Sequence, residues 1–166
     1  MSIILDDYRE SLEQAAPELK GTLDATFQEA SRCMSPIGLQ DYLDGARGLS
    51  ELGRGADLVV SYIENVPAVA KECGEDIIRE CVTSAMKLIS MTSGEVLALL
   101  FSSLPTAARR LGVPELLRGY FSLIHRLAAK APRGLRPMLG CTDELLSKLT
   151  LSGLRRWADF GADAYR

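Results

Sequence analysis

The chain has 166 residues, 47% of them hydrophobic, 25% charged and 6% aromatic, with a formal net charge of −3. That length suits one domain with a core large enough to bury most of its apolar surface. Seven prolines and 14 glycines in so apolar a chain exclude collagen-like and low-complexity classes.

In chain order, Met1 to Leu5 runs straight into Asp6-Asp7 without a basic flank, so no secretory leader is read there. Leu5, Tyr8, Leu12, Leu19, Leu23 and Phe27 recur at multiples of three and four, and Pro17 suits the first turn of a second helix. Residues 1–35 are therefore expected to form a helical hairpin. Ser35-Pro36 reads as a cap followed by proline, after which Leu39, Tyr42, Leu43, Ala46 and Leu49 trace one face up to Gly53. Leu58, Val59, Tyr62, Ile63, Val66 and Val69 form the next face, with a kink expected at Pro67 and a stop at Gly74. Another helix is expected over about 75–91 on Ile77, Ile78, Cys81, Val82, Ala85, Leu88 and Ile89. Ser93 then starts a helix that is kinked at Pro105 and ends at Gly112. Pro114 opens one carrying Leu116, Leu117, Tyr120, Phe121, Ile124 and Leu127 inward. A turn at 135–139 leads to Thr142, read as the cap of a helix over 143–149, and a last helix starts near Ser152 with Leu154, Trp157, Phe160 and Ala164 on one side. No stretch alternates with period two for long. The pattern predicts an all-α fold of about eight or nine helices.

Positions recur. Tyr42, Phe101 and Phe160 stand at equal intervals, and Leu39, Ala98 and Trp157 keep the same interval. Leu58, Tyr62, Val69 and Ala70 recur one place short of that interval as Leu116, Tyr120, Leu127 and Ala128. A register kept across several helices predicts stacked helical repeats, an α-solenoid-like array, with units at about 36–93 and 94–151 and a third beginning at 152. On that reading the third unit holds only its first helix, so the chain is expected to be part of a longer protein.

Enzyme motifs find no support. One histidine, His125, and four cysteines, Cys33, Cys73, Cys81 and Cys141, supply no CxxC pair and no zinc spacing. Four buried, reduced thiols are expected, with no metal and no cofactor. GxxxxGK[ST] and GxSxG are absent, so neither a phosphate loop nor a nucleophile elbow is read. Glu75-Asp76 follows Gly74 at an expected helix start, where acids complement the dipole; Asp6, Asp7, Glu10 and Glu13 read as a solvated face. The run from Val96 to Phe101 is about a third of a membrane span, and a cytoplasmic protein without membrane contact is expected.

Charge is distributed unevenly. Residues 1–83 hold sixteen acids and seven bases, whereas residues 84–166 hold six acids and twelve bases. Between Phe101 and Gly140 stand seven bases and one acid, Glu115. Arg118 and Arg126 fall on the side of their helix away from Tyr120 and Leu127, and Arg133 and Arg136 follow it. These four are the candidate partner-binding residues. Arg109 and Arg110 are second choices, because cations at a helix C-terminus already complement its dipole. An acidic partner, nucleic acid or a second copy paired head to tail would each suit such a run, but no nucleic-acid motif accompanies it.

Three stretches carry a resemblance: 116–121 (Leu-Leu-Arg-Gly-Tyr-Phe), 131–139 (Ala-Pro-Arg-Gly-Leu-Arg-Pro-Met-Leu) and 151–166 (from Leu-Ser-Gly-Leu-Arg-Arg-Trp through Gly-Ala-Asp-Ala-Tyr-Arg). Together they resemble the N-terminal helical region of the CbbO/NorD family, whose members carry a C-terminal von Willebrand factor A domain. The resemblance implies a non-catalytic scaffold within an adaptor that couples a hexameric MoxR-type AAA+ ATPase to a target. That target is Rubisco or nitric oxide reductase, with the Rubisco branch favoured. The family's DxSxS metal motif does not occur in this sequence.

Overall fold

Local signals set where the helices begin and end. The computed structural model describes residues 20–148, which form eight α-helices and, among the described residues, no strand. These are α1 Lys20–Cys33, α2 Pro36–Glu51, α3 Ala56–Cys73, α4 Ile77–Leu88, α5 Gly94–Leu111, α6 Pro114–Lys130, α7 Leu135–Gly140 and α8 Thr142–Lys148. A 3-10 turn over Pro132–Gly134 joins α6 to α7. The expected all-α helical array is the observed fold. The expected helices before residue 20 and after residue 151 lie outside the described residues.

Ser35, in extended conformation, accepts the Gly38 N–H at the start of α2, and Pro36 occupies the first helical turn. Ser93, at the matching place one repeat later, does the same for the Val96 N–H at the start of α5. Gly112 closes α5 in the left-handed region at φ 75°, where a side chain would be strained. The interval from the start of α2 to that of α5 equals the interval from the start of α3 to that of α6.

The helices alternate between two layers. α1, α3 and α5 are neighbours in one, with α7 and α8 beyond α5; α2, α4 and α6 are neighbours in the other. Neighbours within a layer run parallel. Ser61 Oγ of α3 donates to the Ala98 carbonyl of α5 at 2.6 Å, and further along both helices Cys73 Sγ approaches the Ala108 carbonyl. Helices from opposite layers are consecutive and antiparallel, so Tyr42 of α2 reaches Ile63 of α3.

The core between the layers is mostly aliphatic, and three of its rings are in mutual contact. Tyr42 and Tyr62 stack at 5.6 Å between centroids, and Phe101 meets Tyr62 edge-on at 5.4 Å. All three are fully buried. Each tyrosine hydroxyl finds a backbone acceptor: Tyr62 donates to the Tyr42 carbonyl at 2.8 Å, and Tyr42 to the Ile63 carbonyl at 2.7 Å. The second bond has a specific cause. Pro67, inside α3, lacks the N–H that would satisfy Ile63, four residues earlier. α3 continues through Pro67 because the Tyr42 hydroxyl supplies the missing donor. Burial pushes the Tyr42 and Tyr62 pKa values up, so both remain donors.

Several expectations need correction. Cys73 and Cys81 are buried, but Cys33 and Cys141 are exposed, one at the end of α1 and the other in the turn between α7 and α8. Leu116 is 39% exposed, and Leu117 takes the inward position. α4 stops at Leu88 instead of Met91, and residues 135–139 belong to a helix. Thr142 does not act as a cap. It is buried in the first turn of α8, and its hydroxyl donates to the Leu139 carbonyl at 3.0 Å. That leaves the Tyr120 hydroxyl as donor in the 2.9 Å bond between the two. Glu75 is more than a dipole complement: its carboxylate accepts the Ser35 N–H at 2.6 Å and the Ser35 hydroxyl, tying the entry of α4 to that of α2.

Thiol chemistry follows from this division. Ellman's reagent should modify two thiols, Cys33 and Cys141, rapidly in the native protein, and all four after denaturation. Burial raises the pKa of Cys73 and Cys81 as well as shielding them. Four fast thiols in the native state would contradict the burial of α3 and α4 against the core.

Candidate docking surface

The basic run that is continuous in sequence is divided in space. The Gly112-Val113 connection is short, so α6 starts where α5 ends. Arg109 and Arg110 in the last turn of α5 therefore lie at the same end of the hairpin as Arg118 in the early part of α6. Arg126 stands two helical turns and more after Arg118, about 12 Å further along the axis. Arg133 in the 3-10 turn and Arg136 in α7 follow at the opposite end. There Arg136 donates to Glu95, in the first turn of α5, at 2.9 Å. All six arginines are exposed, in two groups of three.

Arg110, Arg118 and Arg136 form ion pairs with other helices. Arg118 Nε lies 2.7 and 2.9 Å from the two carboxylate oxygens of Glu80 on α4, with Glu115 Oε1 4.0 Å from a terminal nitrogen. Arg110 Nε meets Asp143 of α8 at 2.8 Å, and Arg136 meets Glu95. Arg79 of α4 reaches back to Asp41 of α2 at 2.9 Å in the same way as Arg118 reaches back to Glu80. The layer of α2, α4 and α6 thus carries a ladder in which an arginine on each later helix grips an acid on the preceding one. Pairs open to solvent on at least one side contribute little to stability. They hold the side chains in place but leave them open to a competing carboxylate.

The ladder was missed in the sequence because its partners are far apart along the chain. Its signal is an equal acid-to-arginine step, present twice, from Asp41 to Arg79 and from Glu80 to Arg118. Tyr120 and Phe121, next to the bases in sequence, are buried. They offer no stacking surface among the arginines.

An open groove of about 220 Å³ lies on the other layer between α1 and α3, lined by Thr26, Glu29, Cys33, Glu64, Pro67, Ala68 and Lys71. Its carboxylates and lysine are of mixed sign, and nothing in it converges on one point. Among the described residues, no group of three or more His, Cys, Asp or Glu could hold a metal ion, and no helix is long and apolar enough to cross a membrane.

His125 of α6 is half-buried; burial, then the charge of Lys87, lowers its pKa. The unfolded chain, with an imidazole pKa of about 6.5, then binds the proton more readily than the folded protein. The stabilisation is full above about pH 6.5 and is lost as pH falls through that value towards the folded pKa. Urea midpoints should therefore drop between pH 7.5 and 5.5, and His125→Gln should make that drop smaller. An identical pH dependence in the variant would show that His125 is not responsible.

Compared with protein-family profiles, with curated proteins and with solved structures, the chain finds no match in any of the three.

Proposed function

We propose that this chain is a docking scaffold, the helical part of an adaptor that couples a hexameric MoxR-type AAA+ ATPase to a target. Rubisco is favoured as the target over nitric oxide reductase. The ATPase and the target come from the CbbO/NorD resemblance; the supporting observation lies in the segment 131–139. Ala131, Gly134, Leu135, Met138 and Leu139 are buried, whereas Pro132, Arg133, Arg136 and Pro137 are exposed. The core accounts for the first set. The second set stands on the surface towards the same end of the α5–α6 hairpin as Arg126, an end that the 3-10 turn and two prolines keep short and stiff.

An acidic surface on the ATPase fits that arginine-proline edge, with association steered by charge and screened by salt. The test is binding of the chain to a purified MoxR-type hexamer at low and moderate salt. Arg126→Glu with Arg133→Glu should weaken binding by tenfold or more at low salt. Arg109→Glu with Arg118→Glu, at the other end, should have a smaller effect. A folded Arg126/Arg133 variant that binds like the parent at both salt levels overturns the proposal. Nucleic acid is the competing partner, and retardation of a DNA or RNA probe with a steep salt dependence would favour it instead.

A further inference from the structure

We infer that Arg54, in the connection between α2 and α3, joins Arg136 of α7 in one seat for an acidic peptide segment, with Glu95 standing in for a carboxylate of that peptide. The inference rests on the docking reading above for the acidic character of the partner. It adds to that end of the array a base from the acidic half of the chain. Arg54 stands between Gly53 and Gly55, both in the left-handed region, at φ 65° and 104°, where a residue with a side chain would be strained. The loop is pressed onto the start of α5. A Cβ on Gly94 would run into the Arg54 carbonyl and lie 3.4 Å from the Arg54 Cβ. Arg54 is exposed, and because the glycines shape its backbone, its guanidinium is not needed to hold the loop.

Glu95 is the next residue along α5, and Arg136 donates to it at 2.9 Å. Arg54, Glu95 and Arg136 therefore stand together where α3, α5 and α7 begin, with Arg133 of the 3-10 turn close by in the chain. Glu95 and Arg136 are 75% and 62% exposed, so water screens their pairing and a second carboxylate can take the arginine over. Glu95 also sets the kind of partner. A nucleic-acid strand carries a charge at every phosphate and would be repelled there, and the buried Tyr120 and Phe121 offer its bases no ring. A peptide can lay its acids on the arginines and an uncharged residue over Glu95. The charge of Glu95 then works against binding, and its removal should tighten the complex.

The probe is a fluorescein-labelled peptide of alternating aspartate and glycine, titrated with the intact chain at low salt and read by anisotropy. The parent should bind it saturably. Arg54→Glu should weaken binding by about fivefold or more, and Glu95→Gln should strengthen it by about threefold or more. Arg109→Glu, at the opposite end, should change it by less than about twofold. All three changes fall on exposed side chains, and unchanged circular dichroism verifies the fold. The inference is overturned if the parent does not bind, if Arg54→Glu binds like the parent, or if Glu95→Gln fails to tighten the complex. A single-stranded oligonucleotide of equal charge that binds more tightly than the peptide overturns it too. Hexamer binding that needs Arg126 and Arg133 but not Arg54 overturns the seat and keeps the docking reading. The expected peptide results without any hexamer binding keep the seat and overturn that reading.

Discussion

Replacing Pro67 by alanine should rescue part of the damage done by Tyr42→Phe. The Ile63 carbonyl is buried, and Pro67 denies it the usual helical donor; the Tyr42 hydroxyl at 2.7 Å takes over. Removing that hydroxyl leaves a carbonyl without its bond, a loss of about 1–3 kcal/mol. Restoring an N–H at position 67 lets α3 satisfy the carbonyl itself. The double variant should therefore be more stable than the sum of the single changes by about 1–2 kcal/mol. Tyr62→Phe is the internal comparison: its acceptor, the Tyr42 carbonyl, lies inside α2 and keeps a helical partner, so the cost there should be smaller. Denaturant midpoints of the four-member cycle decide it. Additivity within about 0.5 kcal/mol would mean that the proline and the hydroxyl are uncoupled.

Two glycines of α2, three positions apart, should respond to alanine with opposite signs. A Cβ on Gly45 would run into the Tyr62 hydroxyl and come within 2.6 Å of Val82 Cγ2. The Tyr62 ring cannot yield without losing its bond to Tyr42 and its contacts with two other rings. Overpacking together with a broken buried hydrogen bond puts the cost of Gly45→Ala at about 3 kcal/mol. That is a large part of the ~5–15 kcal/mol that holds an ordinary domain together. A Cβ on Gly48 meets only the terminal methyl of Met86, at 3.1 Å, and that side chain is free to turn away. Gly48→Ala should stabilise by up to about 1 kcal/mol, the usual gain of alanine over glycine inside a helix. Equal effects at the two positions would contradict the close crossing of α2, α3 and α4 at the tyrosine pair.

The helices were legible because their signals are local. Ser35, Ser93 and Gly112 mark ends through bonds that close within a single helical turn, and Pro36 and Pro114 through a backbone angle already suited to a first turn, and the inward faces repeat every three or four positions. What the sequence hid depends on contacts between residues far apart along the chain. Glu75 looked like a first-turn acid, and only the parallel neighbour α2 shows it gripping Ser35. Thr142 has a capping residue's chemistry, but Tyr120 claims its hydroxyl. Leu116 and Leu117 are indistinguishable by type, and a small rotation of α6 decides which is covered. The candidate surface was legible as a list of exposed arginines. Its division into two groups was not, because the reversal at Gly112-Val113 keeps Arg118 at the same end as Arg109 and Arg110, while the rise along α6 carries Arg126 towards the other end.

The two-layer arrangement also bears on how fast the chain reaches its fold. Each helix meets its immediate successor, the helix after that or, for α5 and α8, the next one on, and among the hydrogen bonds described the widest span, from Glu95 to Arg136, is well under half the chain. Loops of that size cost little more entropy to close than much shorter ones, since the cost grows only with the logarithm of length. Order can therefore spread outward from the tyrosine pair one helix at a time. A topology so rich in near-neighbour pairings belongs with the rapid folders among single domains, and among the described residues it exposes no unpaired strand edge from which aggregation could start on the way.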